Sequence, residues 1–235
     1  MKKTLLLAAC CLFAQTAVFA QETEVTTVSI SETTVKRENP FNFYVGFGAA
    51  FLGDFNINDK LAQSGMPQVA STAPEFTFGF NFSDPGENLY MDVEGVAAYL
   101  DKKDDLNRVR TVSGGAKIRV HYKLKSNEKW FLSVGGDLNF LTTQVNINSR
   151  DNIVDMNNLN PAAYTGNISL YNNQFGLGPS VAVAVCQDML FPLRFNFGYD
   201  IGLTKGKWKS QYADVSNTID ESGHGRFYAK LIIGL

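Results

Sequence analysis

Beyond its first 20 residues the chain has no run approaching the roughly 18 consecutive apolar residues that a membrane helix requires, so a helical membrane protein is excluded. Cysteine is nearly absent. Cys10 and Cys11 fall in a leading segment and Cys186 stands alone after it, which leaves no internal disulfide framework. Charge is close to balanced, 21 basic against 23 acidic residues, and nothing in it points to a nucleic-acid partner. Zinc-ligand spacings, a phosphate-binding loop, a nucleophile elbow and a dinucleotide fingerprint are all missing. No cofactor or metal is expected.

What is present begins with a leader. Met1-Lys2-Lys3, an apolar run from Leu5 to Ala14 and the ending Val18-Phe19-Ala20 predict a secretory signal peptide over residues 1–20. Its removal takes away Lys2 and Lys3, so 21 basic residues become 19 against an unchanged 23 acidic, a net charge of −4. Leu7-Ala8-Ala9-Cys10 resembles a lipobox, but the apolar run before that cysteine is shorter than the roughly 7–15 residues a signal core needs. Residues 21–40, rich in Thr, Ser and Glu and ending on Pro40, read as a flexible lead-in.

From residue 41 onward, eight segments alternate apolar and polar positions with period two. Phe41, Phe43, Val45, Phe47, Ala49 and Phe51 share one face of the first, and Phe76, Phe78, Phe80 and Phe82 share one face of the second. The third pairs Leu89, Met91, Val93, Ala97 and Tyr99 against Tyr90, Asp92 and Glu94; the fourth pairs Val112, Ile118, Val120 and Tyr122 against Lys117, Arg119, His121 and Lys123. Trp130 to Phe140, Phe175 to Val185, Leu193 to Leu203 and 224–235 continue the pattern, the last with Phe227, Ala229, Leu231, Ile233 and Leu235 on its apolar side. No helical pattern is visible to cover eight greasy faces. The economical solution is an all-β chain closed into an eight-stranded antiparallel up-and-down transmembrane barrel over 41–235, apolar side to lipid and polar side to the lumen.

Connection lengths agree with that reading. Segments 54–72, 142–173 and 205–223 are long and 101–107 is fairly short but charged; they alternate with short turns, as extracellular loops alternate with periplasmic turns, which would put both mature termini in the periplasm. On these features the chain resembles the small eight-stranded outer-membrane barrels of Gram-negative envelopes, the OmpA-type transmembrane domain and OmpX-like proteins, and the barrel-domain proteins of Bacteroidetes. The resemblance implies that the last strand, through Phe227, Leu231, Ile233 and Leu235, is a signal read by the barrel-assembly machinery, although an aromatic usual at its end is replaced by Leu235. It also implies lipid and lipopolysaccharide as surroundings, and a monomer. The peptidoglycan-binding domain that follows the OmpA barrel has no counterpart here, so that activity is not implied.

The polar faces carry Glu75, Asp92, Glu94, Asp137 and Asp200 against Lys117, Arg119, Lys123, Arg194 and Lys230. A barrel of eight strands is just wide enough to be filled by its side chains, so these charges are expected to pair, with Asp92 and Glu94 beside Lys117 and Arg119. That filling favours a non-enzymatic barrel acting in envelope integrity or through its outer loops. A narrow channel for small solutes or hydrophobic molecules would use the same charges. A lipid A-modifying enzyme is the third class, suggested by Ser222-Gly223-His224 beside Asp220 and Glu221, though order and spacing match no such family. His121 lacks a carboxylate or hydroxyl partner in its own segment, and Asp101, Asp104 and Asp105 do not have the spacing of a calcium loop.

Overall fold

Alternation of this kind gives each strand one greasy side and one polar side, and eight such strands close on themselves. The computed structural model describes residues 41–83, 87–150, 167–221 and 225–234. The expected signal peptide, the lead-in 21–40, Asp84-Pro85-Gly86, the centre of the 142–173 connection, Ser222-Gly223-His224 and Leu235 lie outside the described residues. The barrel strands are β1 (Phe41–Leu52), β2 (Thr72–Ser83), β3 (Leu89–Lys103), β4 (Asn107–Ser126), β5 (Trp130–Ser149), β6 (Asn167–Val185), β7 (Leu193–Gly202) and β10 (Gly225–Gly234). A helix α1 (Ile57–Gln63) and a two-residue pair, β8 (Gly206–Lys207) with β9 (Asp220–Glu221), belong to the connections.

Every barrel strand pairs antiparallel with its sequence neighbour, β7 passing to β10, and β10 pairs with β1 from Tyr44↔Gly234 to Leu52↔Arg226. The ring has no free edge. Inward glycines let strands approach closely. A Cβ on Gly135 would lie 1.9 Å from the Val120 carbonyl oxygen, and one on Gly178 1.7 Å from that of Tyr199.

Exposure follows the alternation and inverts the usual rule of a folded protein. Phe76, Phe78, Ile118, Leu138, Leu177 and Phe197 are exposed on the outside, while Asp92, Lys117, Arg119 and Asp137 are completely buried inside. Aromatic pairs rim both ends of this apolar belt: Phe43 with Phe80 at 5.4 Å between centroids near the short turns, and Phe51 with Phe227 at 5.8 Å and Phe140 with Phe175 at 4.8 Å near the long connections.

At the long-connection end the structure departs from the sequence reading in three ways. The 101–107 loop is mostly strand, since β3 runs to Lys103 and β4 starts at Asn107. Segments 54–72 and 205–223 are not merely polar loops. Phe55, Ile57, Leu61 and Val69 from the first and Trp208 from the second pack with Val109, Val145 and Ile147 in an apolar cluster that caps the barrel. Above the belt, therefore, the inner face of β4 and β5 changes from charged to apolar. Glu221, fully buried, ties the cap together: its carboxylate accepts the Asn56 and Ile57 backbone N–H groups at 2.8 Å each and the Trp208 indole N–H at 2.9 Å.

Candidate functional site

Residues of alternate positions on several strands converge inside the barrel, and their charges form one connected network. Arg119 on β4 is its hub. Its guanidinium reaches Asp92 on β3 at 3.2 Å, Glu94 on β3 at 3.4 Å, Asp137 on β5 at 3.0 Å and the Tyr228 hydroxyl on β10 at 3.1 Å. Lys117 bridges Asp137 at 3.1 Å and Asp200 on β7 at 3.0 Å. Arg194 on β7 crosses the lumen to Asp92 at 2.6 Å, and Lys230 on β10 reaches Glu94 at 2.7 Å and Glu75 on β2 at 2.8 Å. Arg226 pairs with Glu75 and lies 3.5 Å from Asp200.

Neutral donors complete the shell. Tyr44 gives its hydroxyl proton to Glu94 at 3.1 Å, Asn81 donates to Asp92 at 2.6 Å, Ser180 donates to Asp137 at 2.6 Å, and Tyr228 also donates to Asp137. Five carboxylates (Glu75, Asp92, Glu94, Asp137, Asp200) therefore face five cations (Lys117, Arg119, Arg194, Arg226, Lys230), and the network is electrically neutral. Balance matters here because an unpaired buried charge costs several kcal/mol.

The eight lumen charges expected from sequence, Asp92, Glu94, Lys117, Arg119, Asp137, Arg194, Asp200 and Lys230, all lie in this network. The partners differ from those of simple strand adjacency. Glu94 is the register neighbour of Lys117 yet takes Arg119 and Lys230, while Lys117 reaches Asp137 and Asp200. Lys123 is not part of the cluster. It sits toward the short turns, donating to the Glu87 carbonyl at 3.2 Å near the rings of Tyr90 and Phe131. Arg226 was not among the expected charges, although its period-two position on the last strand placed it on the inner face. Of the expected assembly residues, Phe227, Leu231 and Ile233 alternate on the outer face with the buried Tyr228, Lys230 and Ile232, and Leu235 lies outside the described residues.

His121 corrects another expectation. Its hydroxyl partners come from neighbouring strands: the Tyr90 hydroxyl at 3.1 Å and Ser133 Oγ at 3.0 Å beside Nδ1, and Ser180 Oγ at 2.7 Å from Nε2. Through Ser180 the ring connects to Asp137. This is a buried hydrogen-bond chain, with His121 only 1% exposed. Two acids of the β3–β4 hairpin, Asp101 and Asp104, are committed locally. Asp101 takes Arg108 at 2.5 Å, and Asp104 accepts the Leu106 and Asn107 backbone N–H groups at 2.9 and 2.6 Å.

Between the charge network and the apolar cap lies a cavity of about 50 Å³, walled by Ala50, Leu52, Phe55, Val96, Leu100 and Leu141, with the hydroxyls of Thr111, Ser113 and Thr143 and with Glu75 and Arg226 at its floor. A space of this size holds a few water molecules.

No family model matches the sequence, and neither does any curated protein. Solved structures do match. A major outer membrane protein from Thermus thermophilus aligns at 12% identity over 84% of this chain and 100% of its own, with a TM-score of 0.50. The attachment invasion locus protein Ail of Yersinia pestis aligns at 7% identity over 83% of this chain and 97% of its own, TM-score 0.47. The outer membrane protein OprG from Pseudomonas aeruginosa aligns at 15% identity over 83% and 95%, TM-score 0.41. At such identities the likeness is one of fold.

Proposed function

We propose that the chain is an integral outer-membrane barrel with a closed lumen, contributing to envelope integrity or surface contacts through its loop end rather than conducting solutes. The observation that carries this reading is the inversion of polarity, with exposed apolar residues such as Phe76 and Phe78 around the whole wall and charged residues buried within it. Soluble monomers rarely expose contiguous apolar patches beyond a few hundred Å². A closed barrel is one of the two architectures able to satisfy all backbone polar groups in lipid. Closure also leaves no strand edge for a second copy, which supports a monomer.

The lumen filling supports the absence of conduction. Arg119 and Lys117 are fully buried and linked to partners on four other strands, so their side chains fill the lumen at that level. The connections set orientation in this reading: α1, the β3–β4 hairpin and the 205–221 segment face outward, the short turns and both mature termini face the periplasm, and residues 1–20 direct export. The last strand guides assembly by the barrel-assembly machinery.

Fractionation tests placement, and planar-bilayer recording tests the lumen. The chain should stay with outer membranes after alkaline extraction, and refolded protein should give no stable single-channel steps. Release into the soluble fraction would overturn the placement. Steps abolished by Arg119→Met or Arg194→Met would replace the closed lumen by a channel.

A further inference from the structure

The outer face of the wall changes character along one strand line. On β7 the outward residues are Leu193, Phe195, Phe197, Tyr199 and Ile201. Past Gly202 the strand breaks, with Leu203, a bend at Thr204 and Lys205 all exposed; alternation then resumes, Lys207 and Lys209 exposed and Gly206 and Trp208 buried. Trp208 belongs to the cap cluster, and Gly206 faces the buried Asn172 amide, so the three lysines point away from the lumen, on the side of Phe197 and Tyr199.

The backbone holds Lys207 and Lys209. Lys209 exchanges both hydrogen bonds with Tyr171, at 2.8 and 2.9 Å, and Gly206 and Lys207 pair with Glu221 and Asp220. Between the Leu203–Phe175 and Lys209–Tyr171 pairings β6 advances four residues while this segment takes six, so Leu203 to Lys209 covers about 13 Å along the strand, or about 10 Å of height at the usual tilt, and the three cations lie within it. No ion pair joins these lysines to an acid among the described residues; the nearest carboxylate by register is the exposed Asp220 opposite Lys207.

We propose that Lys205, Lys207 and Lys209 form a lateral binding surface for the phosphate groups of a phosphorylated glycolipid in the outer leaflet. The proposal rests on the membrane placement above. The three cations follow the apolar belt directly after the bend at Thr204, and the height they lie within matches the roughly 5–8 Å headgroup layer of one leaflet together with the first sugars above it. Lipid tails then lie against Phe195, Phe197 and Ile201 while the headgroup phosphates meet the ammonium groups, whose stems snorkel along the wall. One molecule thus satisfies both halves of the surface, which a soluble anion would not.

The test uses full mature protein refolded in phosphatidylcholine vesicles, transferred to detergent and titrated with bis-phosphorylated lipid A, with the same lipid dephosphorylated, and with inorganic pyrophosphate, retention being counted by native mass spectrometry. Each lysine near an anionic lipid surface strengthens binding roughly fivefold, so K205Q/K207Q/K209Q should weaken lipid A retention roughly 100-fold, whereas K123Q/K125Q at the opposite end should not. The heat-modifiable gel shift checks that the triple variant is folded; if it is not, K207Q alone should lose about fivefold. Unchanged retention in the folded variant, or in K207Q where that is the readout, overturns the proposal. So does equal retention of the dephosphorylated lipid, or pyrophosphate binding as tight as lipid A. Failure of the wild-type chain to insert into neutral vesicles overturns the membrane placement instead.

Discussion

Replacing Arg119 by methionine keeps most of the side-chain volume and removes the hub of the lumen. The guanidinium touches Asp92, Glu94, Asp137 and Tyr228, but the loss is smaller than four broken contacts suggest. Asp92 keeps Arg194 at 2.6 Å, Glu94 keeps Lys230 at 2.7 Å and Asp137 keeps Lys117 at 3.1 Å. What remains is one excess carboxylate among five, shielded from water, and stranding one buried charge costs about 3–5 kcal/mol. The structure also identifies its cure. With Asp137→Asn added, four pairs survive intact, Asp92–Arg194, Glu94–Lys230, Asp200–Lys117 and Glu75–Arg226. Asp137→Asn alone strands a cation and should cost a similar amount, while the double variant should be more stable than the sum of the singles by up to about 3 kcal/mol. Urea unfolding from phosphatidylcholine vesicles, followed by tryptophan fluorescence and gel shift, measures all three. A loss below about 1 kcal/mol for Arg119→Met would mean that water already solvates the lumen charges, and the argument for a closed lumen would fall with it.

The outer face is tested by Ile118→Arg, expected to cost about 2–4 kcal/mol of folding into lipid because Ile118 is exposed in the middle of the apolar belt; a neutral effect in vesicles would place that face in water. Glu221→Gln should weaken charge-assisted hydrogen bonds, each worth about 1.5–3 kcal/mol, to Asn56, Ile57 and Trp208, speeding hydrogen exchange at the Ile57 amide while β4 and β5 amides stay protected. Uniform acceleration across the barrel would show that the cap is not a separate cooperative unit. Gly135→Ala would press a methyl against the Val120 carbonyl and the His121 ring, and an overpacking loss of about 1–3 kcal/mol should appear in the same unfolding assay. Stability unchanged by that methyl would contradict the close approach of β4 and β5.

Period two is a local property, and so the strands could be read before any contact was known. Phe76, Phe78, Phe80 and Phe82 must share a side of any strand that contains them, and the same holds for Lys117, Arg119 and His121. Eight such faces without helices leave barrel closure as the remaining solution, and the alternation even put Arg226 on the inner wall. Pairing inside the lumen is different in kind. Long side chains in a narrow barrel reach across and diagonally, so Arg194 meets Asp92 from a strand that is not its neighbour, and Lys117 passes over its register partner Glu94. The cap escaped for a related reason. Phe55, Ile57, Leu61, Val69 and Trp208 are scattered among polar residues, too few in any one segment to show a period, and only the closed ring brings them over Val109, Val145 and Ile147. What the chain decides residue by residue is which way each side chain faces; which opposite charge it meets, and what seals the end, depends on distances that exist only after the first and last strands have joined.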